Sequence, residues 1–101
     1  MLFRSVASKN NLKTLPVEMS QLKAIEIVDF AYNSLLSIPV ALTATLNLRT
    51  LDLSFNNQLA EYPSEIKSLK ALRLLNLKST KITAKQVDDL EWLVPDCQIM
   101  L

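Results

Sequence analysis

The apolar residues of this chain recur in blocks that agree position by position. In LDLSFNNQLAEYP, residues 51–63, Leu51 and Leu53 flank Asp52, Asn56 follows three residues later, and Leu59 and Pro63 come next. The spacing of Leu48, Leu51, Leu53 and Asn56 returns as Ile25, Val28, Phe30 and Asn33, and again as Leu72, Leu75, Leu77 and Thr80. A degenerate copy opens the chain with Leu2, Ser5, Ala7 and Asn10. The copies start at 2, 25, 48 and 72, a period of 23, 23 and 24 residues.

The second half of each copy repeats as well. Asn10 leads to Leu12, Leu15, Pro16, Met19 and Leu22, and Asn33 leads to Leu35, Ile38, Pro39 and Leu42. Asn56, after one inserted residue, leads to Leu59, Tyr62, Pro63, Ile66 and Leu69. Each copy begins with an apolar, alternating segment suited to a short strand. One copy cannot bury its own leucines, but stacked copies share a parallel sheet and a continuous core. The Asn side chain bonds free backbone groups of its own or a neighbouring turn, and it tolerates left-handed backbone in a chain without glycine. Proline then directs the chain along the outer side.

The last copy ends differently. Thr83-Ala-Lys-Gln86 forms a capping-box pattern, with Val87, Leu90 and Leu93 or Val94 on one helical face and Asp88, Asp89 and Glu91 toward water. Pro95 stops that helix. Gln98–Leu101 then reads as a fifth strand with Ile99 and Leu101 inward, and Trp92 is expected to cover the helix–sheet edge.

This pattern resembles the leucine-rich repeat family, whose signature is L-x-x-L-x-L-x-x-N-x-L at a period of 20–29 residues. The L-P-x-x-L tail looks like the class found in many bacterial and intracellular members. The resemblance covers residues 2–101 and implies an α/β fold: a right-handed solenoid with a short, concave parallel sheet of about five strands. An irregular convex side and a C-terminal capping helix complete it. Residues 1–101 are expected to form one repeat domain with its cap at 83–101. The ending VPDCQIML is similar to the family's closing unit, which makes Cys97 a small buried filler.

Composition narrows the chemistry. The net charge is +1, from 11 Lys+Arg against 10 Asp+Glu, which gives no pull toward nucleic acid or anionic membrane. The chain has no Gly and no His, so phosphate-cradling loops, the usual general base and the commonest metal ligand are missing. No cofactor or metal is expected. One cysteine, Cys97, suits a reducing compartment. The start, MLFRSVASKNN, lacks the apolar run of a signal peptide, and LLSIPVALTATL at 35–46 is too short and interrupted to span a membrane. A cytoplasmic location is the expectation.

Outward strand positions line up into columns: Arg4, Ile27, Thr50, Leu74 and Gln98, then Val6, Asp29, Asp52, Asn76 and Met100. Beyond them come Ser8, Ala31, Ser54 and Lys78, then Lys9, Tyr32, Phe55 and Ser79. In the resembled family this face commonly binds proteins. That implies a partner site of Ile27, Asp29, Thr50, Asp52, Leu74, Asn76 and Lys78, with Tyr32 and Phe55 on its rim and Asn10, Asn33 and Asn56 as structural turn residues. Thr, Asp and Asn are equally ordinary solvated choices, and the two aromatics equally suit packing along the turn. Exposed Ile27 and Leu74 would favour an interface. Asp29 and Asp52 form a carboxylate pair, but an open face without nucleophile or oxyanion donor assigns them no catalysis. At the other end Ser5 and Ala7 are small, and Leu2, Leu12, Leu15, Met19 and Leu22 are expected to form a partly open apolar end. Self-association, a homo-dimer or a longer array would cover it.

Overall fold

The computed structural model describes residues 3–6, 25–38 and 40–101, with the side chains of 3–6, 41 and 44 outside that description. The expectations for Leu2, Ala7, Ser8, Lys9, Asn10, Leu12, Leu15, Pro16, Met19, Leu22 and Pro39 lie outside the described residues, and with them the open N-terminal end.

Strands β1 (Phe3–Val6), β2 (Ile25–Asp29), β3 (Thr50–Asp52), β4 (Leu74–Asn76) and β5 (Gln98–Met100) form one sheet in the order β1-β2-β3-β4-β5. Every pairing is parallel. Sequential parallel order follows from the repeat: each copy contributes one strand, and its remainder carries the chain back to start the next.

The return paths are short and varied. Among the described residues, two returns are 3₁₀ helices, Val40–Ala44 and Ser64–Ser68, and the last is α1 (Ala84–Leu93). A second, thinner ladder ties the returns together: Ile38 N–H donates to Glu61 O at 2.9 Å, Ala60 N–H to Leu36 O at 3.1 Å, and Lys81 N–H to Leu59 O at 2.7 Å.

The repeated apolar positions are the core. Val28, Leu51 and Leu75 on the strands are fully buried, together with Phe30, Leu53 and Leu77 just beyond them. Leu42, Ile66 and Leu90 close the core from the return side. At ~25 cal/mol per Å² of apolar surface removed from water, this leucine stack is the main term holding the repeats together.

Helix α1 starts at the expected box. Gln86 N–H donates to Thr83 Oγ1 at 3.2 Å, while Thr83 N–H donates to Gln86 Oε1 at 2.9 Å. Leu90 and Val94 turn inward, with Val87 and Leu93 packed against the core. Asp88, Asp89 and Glu91 are exposed.

Two terminal expectations are corrected. Trp92 does not cover the sheet edge; it is 87% exposed. Two residues along a helix rotate a side chain by about 200°, so Trp92 stands opposite buried Leu90, and Val94 takes the covering place. Leu101 is 53% exposed because β5 ends at Met100, whereas Ile99 does pack against the core.

Candidate functional site

The two outward columns of the sheet stand in register. Arg4 pairs with Ile27, Ile27 with Thr50, Thr50 with Leu74, and Leu74 with Gln98. The next column runs Val6, Asp29, Asp52, Asn76 and Met100 by the same pairings. Ile27, Thr50 and Leu74 are half-buried rather than exposed. Neighbouring strands about 4.8 Å apart cover part of each side chain, which leaves a shallow strip of mixed polarity instead of protruding apolar residues.

The second column is bound into the turns that follow the strands. Asp29 Oδ1 accepts from Ala31 N–H at 3.1 Å, Asp52 Oδ1 from Ser54 N–H at 3.0 Å, and Asn76 Oδ1 from Lys78 N–H at 3.1 Å. Ser54 Oγ adds a 2.7 Å bond to the same Asp52 oxygen. Three copies thus make the same Asx turn, which bends the chain off the sheet. Asp29 and Asp52 are adjacent, yet each has an oxygen committed to this local role.

Beyond that column the face closes. Ala31 and Ser54 are buried, so they offer a partner little surface, while Lys78 is exposed. The rim follows. Tyr32, Phe55 and Ser79 have φ of 59°, 59° and 57°, in the left-handed region. The left-handed step thus falls one residue before Asn33, Asn56 and Thr80, not on the Asn whose tolerance of that conformation the sequence offers.

The reason lies in the Asn side chains. Asn33 Nδ2 donates to Phe30 O at 3.0 Å, and Asn56 Nδ2 to Leu53 O at 2.8 Å, each three residues back. Reversing the chain this tightly places the left-handed step on the residue before the Asn. Asn56 also reaches the preceding copy, donating to Phe30 O at 3.0 Å. Thr80, in the Asn position of the last copy, donates Oγ1 to Leu77 O at 2.8 Å.

Tyr32 and Phe55 lie ring on ring, with centroids 4.4 Å apart and planes 3° from parallel, and they remain 47% and 40% exposed. Register alone brings them together: the same turn position is aromatic in two successive copies. The sequence gives that coincidence, but not the parallel stacking.

Cys97 is half-buried against the core rather than fully enclosed, with its Sγ donating to Gln98 O at 3.5 Å. Burial pushes its thiol up to about 11, against a smaller downward pull from Arg73. Burial, with a smaller contribution from Asp89, also raises Tyr62, whose hydroxyl donates to Gln86 O at 3.4 Å. A cavity of about 110 Å³ lies beside the cap, lined by Lys67, Leu69, Leu72, Leu93 and Val94 among others, away from the sheet columns. Among the described residues no cluster of His, Cys, Asp or Glu is arranged to hold a metal ion, and no helix is long and apolar enough to cross a membrane.

Residues 46–93 match the family described as leucine rich repeats, in two copies. The structure of a leucine-rich repeat protein from Leptospira interrogans superposes with a TM-score of 0.89 at 35% identity, covering 99% of this chain and 25% of that one. Among curated proteins, adenylate cyclase of Schizosaccharomyces pombe is 33% identical over 76 residues, 75% of this chain and 4% of that protein. A probable serine/threonine-protein kinase of Dictyostelium discoideum is 37% identical over 73 residues, 69% of this chain and 6% of that protein. The chain thus spans a small fraction of the length of these relatives.

Proposed function

Since the chain belongs to the leucine-rich repeat family, whose domains generally bind other proteins, we propose that it is a non-enzymatic module gripping a partner protein through the concave strand face. The supporting observation is the register of the two outward columns, which brings the half-buried strip Ile27–Thr50–Leu74 alongside Asp29, Asp52 and Asn76. A strip of mixed polarity with Ile27 and Leu74 as its apolar members, beside a polar column, suits the core-and-rim composition of protein interfaces. Lys78 extends the site on one side, and Tyr32 and Phe55 form its rim. In this reading residues 1–101 act as one domain closed by a cap from residue 83, and a lone thiol suits a reducing, cytoplasmic setting.

The test is mutation by face. Thr50→Arg, in the middle of the strip, is expected to abolish capture of a protein partner by immobilised chain. Glu65→Arg, exposed on the Ser64–Ser68 helix, is expected to leave it intact. Both variants are checked for unchanged melting temperature. Loss of capture in the Glu65 variant with retention in the Thr50 variant would overturn the concave-face reading.

A further inference from the structure

The proposed site has one chemically distinct end. Each of the Asp29 and Asp52 carboxylates commits Oδ1 to a backbone amide, and among the described residues no lysine or arginine engages either one. Among the described side chains neither second oxygen is met by a cation, and the two carboxylates stand on adjacent strands, paired in register. The Asx turns aim both carboxylates toward the loops that follow the strands. Three residues after each aspartate stands an aromatic, and the two rings are stacked and exposed.

The following copy keeps none of this chemistry. Asn76 replaces the aspartate, Ser79 replaces the aromatic, and Lys78 brings a positive charge. The ring ladder thus stops at Phe55, beside a small side chain where a third ring would continue it. On this face, among the described residues, the pairing of aspartate with an exposed aromatic occurs on β2, β3 and their loops.

The geometry points to an arginine-bearing segment of the partner protein as the occupant of this end. A guanidinium is planar, stacks on aromatic rings and forks its N–H donors onto carboxylates, whereas an ammonium does neither in a plane. Charge complementarity selects a cation here and disfavours one beside Lys78. The last copy has the small Ser79 in place of a ring beside Phe55, and a flat guanidinium would take that position in the ladder. This inference rests on the concave-face reading, since it names the chemistry of a partner for that surface.

The test needs no natural partner. An acetylated and amidated Gly-Arg-Gly-Arg-Gly peptide and its lysine counterpart are titrated into ¹⁵N-labelled chain. The arginine peptide is expected to give saturable shifts centred on the backbone amides of Ala31, Tyr32, Ser54 and Phe55. Its affinity should exceed that of the lysine peptide by about fivefold. Asp52→Asn and Phe55→Asn should each weaken binding by about fivefold or more. Both variants suit the fold: Asn76 already makes the Asx turn, and Asn tolerates left-handed backbone. Equal affinity for the two peptides, shifts centred elsewhere, or indifference to both substitutions would overturn the inference. If Thr50→Arg abolishes partner capture while the arginine peptide fails to bind, the concave-face reading stands and the arginine assignment alone falls.

Discussion

Asn56 and Leu35 are bonded across the stack: Asn56 Oδ1 accepts from the Leu35 backbone N–H at 3.1 Å, 21 residues earlier. With its donations to Leu53 O and Phe30 O, the fully buried Asn56 side chain staples two successive turns to each other. Replacing it with alanine strands the buried Leu35 N–H and the Leu53 carbonyl, while Phe30 O keeps its bond from Asn33. Asn56→Ala should therefore cost about 3 kcal/mol, one unpaired buried donor plus lost bonds to two acceptors. Thr80→Ala loses chiefly the bond to Leu77 O and should cost about 1 kcal/mol. Urea unfolding of both variants checks the ratio; equal costs would mean that Asn56 acts only within its own turn.

The left-handed turn residues make a second prediction. Ser79 has φ 57° and is exposed, and this chain has no glycine to take that conformation without a Cβ penalty. Ser79→Gly should relieve about 1 kcal/mol in the folded state, partly offset by the greater freedom of glycine in the unfolded chain. Ser79→Val should destabilise, because a β-branched residue fits this region poorly. Thermal melts should rank the variants glycine, serine, valine from most to least stable. The reverse order would remove the strain argument.

The sequence carries the repeat, the strand columns and the helical cap legibly because each is a spacing of leucines, and spacing is what periodic burial leaves behind. Trp92 and Leu101 were less legible for a shared reason. After Ile82 the last copy leaves the repeat spacing for a helix, so the repeat pattern no longer marks which apolar residues face inward, and Val94 and Ile99 hold the inward places. The left-handed step before each Asn was hidden because Tyr32 and Phe55 are residues that usually avoid it. On the candidate face the register was legible. The burial of Ala31 and Ser54 and the Asx turns were not, since both depend on how the chain bends after the strand.

Cys97 gives a prediction with pH. Its folded thiol lies at about 11, above the unfolded value of roughly 8.5, so the folded state favours the neutral form. The associated stability is fully present below the unfolded value and is lost as pH rises from there through 11. At pH 8.5, iodoacetamide should alkylate native Cys97 at least about tenfold more slowly than the urea-unfolded chain, because the thiolate is the nucleophile. Comparable rates in the two states would mean that the thiol is open to water.

Gln86 makes the sharpest case, since it performs two jobs that its usual substitute cannot combine. Oε1 accepts from Thr83 N–H as the second half of the capping box, while Nε2 donates to Ala60 O at 2.8 Å and ties the helix to the preceding copy. Glutamate is ordinarily a good residue at this position of a capping box and suits the positive end of the helix dipole. Here Gln86→Glu keeps the box but sets a carboxylate oxygen against the Ala60 carbonyl. The variant should be less stable by about 1–2 kcal/mol at neutral pH. The deficit should shrink below about pH 4, where a protonated carboxyl can again donate to Ala60. Gln86→Ala loses both jobs and should be destabilised at every pH. A neutral-pH gain in the glutamate variant would show that the cap alone governs this position and that the Ala60 bond carries no weight.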